Sequence, residues 1–439
     1  MKESCGIDDT SLIHTFRILK NKYYYMKKTL PAFLLSSATL FAVACNNSAA
    51  TKTSDDRATT DSVYPAVEKN KANTSYKPAF EGQTRIAGVK TTTPFEGKVI
   101  TNTLKSPWGI AVLPDNRVLI TEKEGDLRIV STDGTVSEAI TGIPKVDPQG
   151  QGGLLGLTLD PDFSNNRMLY WVFSEPVSGG NHTAVAKGRL ADNEKSIEGA
   201  KVIYQALPTY DGKLHYGGRI IFDKSGNLLV STGERSDLET RPQSQDLKSA
   251  LGKIVRITKE GKPAEGNPFA SDANARPEVY SYGHRNVQGL ALHPETGDLW
   301  ETEFGPRGGD ELNRVEAGKN YGWPIITYGL EYSGKEIGNP PIQQKEGLEQ
   351  PVYYWDPVLS PSGLMFYTSD AIPEWKNSLF IGGLSSTHIA RLVIKDNKVV
   401  GEERLLDREG QRFRDVAQGK NGEIFAITDG GRLYSIAKK

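Results

Sequence analysis

The stretch GGRIIFDKSGNLLVSTGE, from Gly217 to Glu234, decides the fold. Small residues lead into alternating apolar residues, a Ser-Gly-Asn turn reverses the chain, and a second alternating run follows. That is the pattern of an antiparallel hairpin. The same phrase returns as WGIAVLPDNRVLITE from Trp108, LLGLTLDPDFSNNRMLYWVF from Leu154, QGLALHPETGDLWETE from Gln288, SGLMFYTSDAIPEWKNSLFIGG from Ser362 and RDVAQGKNGEIFAITD from Arg414. Six copies over about 330 residues give about 55 residues per repeat, the blade length of a β-propeller. We therefore expect an all-β, six-bladed propeller of four-stranded antiparallel blades over residues 79–439. A β-sandwich gives no reason for one phrase to recur six times. Phe95 to Leu104, before the first copy, is expected to supply a strand that closes the ring with the C-terminal blade.

Composition agrees. The 439 residues carry 45 glycines and only four methionines, which suits short strands joined by tight turns. With 53 Lys plus Arg against 54 Asp plus Glu the net charge is -1, so no electrostatic footprint for nucleic acid exists.

Leu30 to Ala44 is an apolar run preceded by Lys27 and Lys28 and followed by Cys45, the order of a secretory signal. It is shorter than the ~20 residues that span a bilayer. Ala42-Val43-Ala44-Cys45 resembles a bacterial lipoprotein cleavage box, which implies a lipid anchor at Cys45 and an exported, periplasmic or cell-surface protein. Met26-Lys27-Lys28 is the better start of such a signal, so residues 1–45 are read as leader. Cys5 then lies upstream of the true start, and the mature domain has no thiol for disulfides or catalysis. Residues 46–78, rich in Thr, Ser, Asn, Ala, Lys and Asp, are expected to form a disordered tether.

The loops leading into four copies carry the polar residues suited to chemistry. They hold Gln151 before the second copy, His215 before the third, Arg285, Asn286 and Gln288 at the fourth, and Arg412 and Arg414 at the sixth. A propeller gathers equivalent loops around one channel mouth. Three arginines there imply an anionic ligand, a polycarboxylate or phosphate. Each residue also has an ordinary role: a histidine as a structural hydrogen bonder, an arginine as an inter-blade ion pair. A second constellation, FGPRGGDELNRVEAGKNYGWP from Phe304 to Pro324, offers backbone carbonyls beside Asp310 and Glu311, the hard oxygen donors calcium takes.

Together PWGIAVLPD, GQGGLLGLTLDPDF, HYGGRIIF, LGKIVRI, YGHRNVQGLALHP, FGPRGGDELN, NYGWP and RFRDV resemble the PQQ-dependent soluble glucose dehydrogenase and aldose sugar dehydrogenase family, from about Thr93 to the C-terminus and in the family's order. The resemblance implies a six-bladed propeller that binds pyrroloquinoline quinone (PQQ), a planar tricarboxylate, together with calcium. It implies His215 as the base that takes the anomeric hydroxyl proton of an aldose, with Glu234 orienting it where relatives usually carry aspartate. Gln151, Arg285, Asn286, Gln288, Arg412 and Arg414 fall at cofactor or sugar positions. The carbonyls of Gly305 and Pro306 match calcium ligands, and Asp310, Glu311 and Tyr321 match the neighbourhood of a second, structural calcium. The implied partners are an aldose and an external electron acceptor (quinone, cytochrome or dye), for a monomer or homodimer.

Three positions depart from the pattern. Ser385 stands where glucose-oxidising members place a lysine against the cofactor, so one cofactor contact is either missing or replaced, with His388 the candidate replacement. Leu214 precedes the base where an acid could hold a sugar hydroxyl, and Phe304 stands where some members have glutamine. The competing readings are a calcium-bound propeller lactonase or esterase without redox cofactor, and a non-catalytic propeller that binds glycans or a partner protein. Neither needs a cluster of guanidinium groups.

Overall fold

The computed structural model describes residues 64–439; the leader, Cys45 and the first part of the tether lie outside them. Six sheets succeed one another along the chain. The second to fifth blades each have four antiparallel strands, such as Val287–Leu292, Leu299–Glu303, Asp310–Val315 and Tyr353–Trp355 in the fourth. Every copy of the repeated phrase forms the two innermost strands of a blade. Innermost strands touch in cyclic order from the first blade to the sixth and back to the first, which makes the assembly a ring. The sixth blade is completed by Phe95–Thr101, paired antiparallel with Leu433–Lys438, so the expected closing strand is in place.

The first blade differs from expectation, with three strands, Pro107–Val112, Val118–Glu122 and Asp126–Val130. Beyond Val130 the chain makes one bridge, Val130 to Val136. The Ser137 hydroxyl then takes the Ile129 amide that a fourth strand would have taken. A side chain has replaced one rung of the ladder, while the Ser137 amide donates to the Ile129 carbonyl and the Ile140 amide to that of Leu127 to keep the segment at this edge.

Six apolar clusters fill the ring, one between each pair of neighbouring blades. The small residue of the phrase explains how the blades meet at the axis. Gly109, Gly156, Gly218, Gly289 and Gly363 occupy equivalent positions, and a Cβ on Gly156 would collide with the Gly218 carbonyl, one on Gly289 with that of Ser362. In the sixth copy the position is Asp415. Its buried carboxylate accepts the Ile110 amide (3.1 Å) and pairs with Arg219, whose guanidinium also donates to the Gln288 carbonyl and lies over the Trp108 ring. An ion pair thus plugs the channel below its mouth.

The tether ends earlier than expected, because from Tyr64 onward the chain is held on the propeller. Asp356 accepts the amides of Asn73 (2.7 Å) and Thr74, and the Thr74 hydroxyl. Gln83, fully buried, donates to the Pro351 carbonyl and accepts from Ala79 and Tyr328. Polar composition argued for disorder here, but buried partners on the fourth and fifth blades satisfy the polar groups.

Candidate active site

Register shifts mark the start of the innermost strand in five blades, between Pro107 and Gly109, Leu154 and Leu157, Val287 and Gly289, Pro361 and Leu364, and Phe413 and Asp415. Such bulges bend a strand and re-aim the residues before it. Here the leading loops turn over the channel and enclose a cavity of about 680 Å³. Gln151, His215, Gln288, Gly305, Pro306, Asp310, Ser385, Arg412 and Arg414 all line it, so the loops equivalent in the repeat do converge.

His215 is the most constrained residue. Its φ of 47° is in the left-handed region, uncommon for a residue with a side chain. It is held there by its amide, which donates to the Gln151 side chain (2.9 Å), and by Nδ1, 2.5 Å from Glu234 Oε1. Glu234 is itself fixed: it accepts the Ser236 amide, and its own amide donates to the Arg285 carbonyl. The other imidazole nitrogen, Nε2, has no hydrogen bond among the described residues. Burial, with the charge of Arg285, pushes the imidazole down to about 4, against the pull of Glu234. His215 is therefore neutral at pH 7 and able to accept a proton.

In four blades the repeated phrase closes on an acid, at the end of the second strand or within three residues beyond it, and each acid anchors the loop leading into its own blade. Glu122 accepts the Lys105 amide, Glu234 holds His215, Glu303 accepts the amides of Arg285 (2.5 Å) and Asn286 (3.2 Å), and Asp429 grips Arg412 and Arg414 at 2.8 Å each. Asp429 was missed in the sequence, yet like Glu234 it closes a copy of the repeated phrase, which was a usable signal. Arg414 also reaches Gln288 Oε1 at 3.5 Å. Asn286 Oδ1 accepts from the Gly217 amide and Gln288, which leaves its Nδ2 buried without a partner.

Several expected placements change. Arg285 does not line the cavity: it lies behind the wall, over Trp323, donating to the carbonyls of Phe304 (3.1 Å) and Gly305 (2.8 Å). His388 does not replace the missing lysine. It is buried, with Nδ1 on the Ser386 carbonyl, and stands outside the lining, while Ser385 faces the cavity and bonds Ser360. Leu214 is exposed and also outside the lining. Missed residues that line it are Lys123, Tyr332 and, from the N-terminal strap, Asn73.

The expected second metal set is divided. Asp310 accepts from the amides of Gly305, Leu359 and Ser360, so its carboxylate organises the cavity loops, and burial raises it to about 6. The Tyr321 hydroxyl is occupied by the Arg314 carbonyl and the Glu316 amide. Glu311 instead pairs across the strands with Glu303, and Glu301 with Asn313. Burial and mutual repulsion push Glu301 and Glu311 well above the usual carboxylate range. His284 Nδ1 stands 3.3 Å from Glu303 and 3.8 Å from Glu301, with its ring stacked on Tyr321. Glu301 Oε2 and Asn313 Oδ1 are buried without partners. Like charges directly opposed on one face destabilise a sheet, and orphaned oxygens beside them are what a cation satisfies. The alternation in ETE and DELN already placed these acids on one face.

Residues 104–435 match the family model described as glucose/sorbosone dehydrogenase. The chain belongs to that family. It is 40% identical to the aldose sugar dehydrogenase YliI of Escherichia coli over 78% of this chain and 92% of the relative. A solved glucose dehydrogenase superposes with a TM-score of 0.75 at 42% identity, covering 78% of this chain and 99% of that one. The PQQ-bound form of aldose sugar dehydrogenase from Streptomyces coelicolor gives 0.64 at 30% identity over 79% and 99%. The strap that carries Asn73 lies wholly before the family match begins.

Proposed function

We propose that this family member is a PQQ- and calcium-dependent dehydrogenase that oxidises aldoses at the anomeric carbon to lactones. One observation carries the reading: a buried, neutral imidazole, braced by a carboxylate on Nδ1 and open on Nε2, faces a cavity walled by Arg412 and Arg414. A neutral lactone or glycan makes no use of that wall. The chain's own groups suit the cofactor: the guanidinium groups for its carboxylates and the Gly305 and Pro306 carbonyls for calcium, while Asn286, fully buried and outside the lining, holds Gly217 and Gln288 in place. Gly305 already accepts from Arg285, so that carbonyl would be shared between the guanidinium and the metal.

Bound PQQ supplies the hydride acceptor, and calcium the Lewis acid that polarises it. His215 Nε2 takes the proton of the anomeric hydroxyl, and the anomeric carbon gives up hydride to become the lactone carbonyl. Glu234 stabilises the imidazolium and fixes the ring's tautomer. Gln151 and the left-handed backbone at His215 aim the ring. A second cation is assigned to Glu301, Glu303 and Glu311 with His284, in place of the Asp310, Glu311 and Tyr321 set. An exported, lipid-anchored protein, with electrons passed to an external acceptor, completes the reading.

The test is reconstitution. Metal-free protein mixed with PQQ and calcium is assayed for dye reduction across a panel of aldoses, and sugar-dependent bleaching that needs both additions is expected. His215→Ala should abolish turnover and retain PQQ binding. Failure of the parent protein to bind PQQ would refute the reading.

A further inference from the structure

The anion wall was expected to hold three arginines, and the structure withdraws one of them, since Arg285 is turned onto the Phe304 and Gly305 carbonyls. The family lysine is absent as well, with Ser385 in its place and bonded to Ser360. A cation from another blade stands in the same cavity. Lys123 directly follows the acid that ends the second strand of the first blade, and it lines the cavity together with Arg412, Arg414 and Asp429.

Its surroundings do not account for its charge. The ammonium donates to one protein group, the Gly150 carbonyl at 2.6 Å, and forms no ion pair among the described residues. Asp429, the carboxylate in this part of the cavity, is held by Arg412 and Arg414 through both of its oxygens. Lys123 is half-buried. Burial, helped by Arg414, holds its ammonium below the ordinary lysine value, with Glu124 and Asp429 opposing. Glu124 is exposed and outside the lining, so on this wall three cations face one carboxylate, and a half-buried ammonium without an ion pair is stabilised by an anionic ligand. An exposed lysine would be hydrated and indifferent; this one shares its cavity with two arginines.

We propose that Lys123 is a cofactor-binding residue: it completes a three-cation site with Arg412 and Arg414 and contacts a carboxylate of PQQ, supplying from the first blade the charge that Ser385 no longer supplies from the fifth. This rests on the dehydrogenase reading above and goes further by naming a residue outside the family motifs.

The experiment measures equilibrium binding of PQQ to the full chain with calcium and without sugar, by calorimetry or quenching of tryptophan fluorescence. Loss of one charge-assisted contact is expected to weaken binding about 10- to 100-fold in Lys123→Met and to flatten its dependence on salt. Lys123→Arg should stay within about threefold of the parent, because arginine keeps the charge. A second measurement uses the unaltered protein. PQQ should protect Lys123 from amine acetylation, read by mass spectrometry, while exposed lysines react as before. If the parent binds PQQ, equal affinity in Lys123→Met or unprotected acetylation of Lys123 overturns the assignment and leaves the dehydrogenase reading standing. If the parent does not bind PQQ, both fall.

Discussion

Glu234→Gln isolates the charge behind the base. Glutamine keeps the side-chain length and an oxygen that can accept from His215 Nδ1 and from the Ser236 amide, so the geometry survives and the charge does not. Glu234 is buried, so its effect on the imidazolium is little screened by solvent. A hydrogen bond to a charged group contributes about 1.5–3 kcal/mol. At about 1.36 kcal/mol per decade, the proton-abstraction step should slow about 10- to 150-fold. The assay is rapid mixing of PQQ- and calcium-loaded enzyme with one aldose between pH 3 and 9, following bound cofactor in a single turnover. The sign of the pH effect is also set. Glu234 raises the His215 pKa, so its removal moves the acid limb further below about 4, and the variant is slower at every pH while its limb shifts to lower pH. Glu234→Asp, which keeps the charge on a shorter arm, should lose less than the glutamine variant. Rates within twofold of the parent for Glu234→Gln, with an unmoved limb, would refute the pairing.

The channel plug gives a stability prediction: Asp415→Ala leaves Arg219 buried without its carboxylate and should cost about 3–5 kcal/mol in urea unfolding, an unusually large loss for one site. Raised pKa values at Glu301 and Glu311 mean that protonation favours the fold, so their contribution is present below the unfolded value and lost as pH rises through the folded one. His215 and His388, lowered to about 4, act oppositely, but only below about 6.5. Lys253, buried and lowered to about 7, opposes the two carboxylates above that pH, so the calcium increment carries the test: calcium should raise Tm more at pH 8.5 than at 6.5, because its ligands must be deprotonated, and an equal rise at both would remove the metal from the acidic cluster. Replacing Arg412 and Arg414 together should weaken PQQ binding more than either single change, as titration would show. Asp356→Ala releases the amides of Asn73 and Thr74, and faster hydrogen exchange confined to residues 64–78 is expected.

Much of this protein is legible without coordinates, because the signals are local. Period-two alternation, the Ser-Gly-Asn, Asp-Asn and Asn-Gly turns and their sixfold return specify hairpins and blade number, since strand faces and turn geometry depend on a few adjacent residues. The same repeat placed Gln151, His215, Gln288, Arg412 and Arg414 at one mouth. Tertiary structure decided what depends on residues far apart in the chain. It turned Arg285 from the cavity onto Trp323 and two carbonyls, buried His388 behind it, and brought Lys123 of the first blade beside Arg414 of the sixth. It also gathered His284 with Glu301, Glu303 and Glu311, and drew the strap onto Asp356. The physical reason is that a side chain's direction is local, whereas its desolvation, its counter-charge and its hydrogen-bond partner are set by whatever the folded ring brings against it.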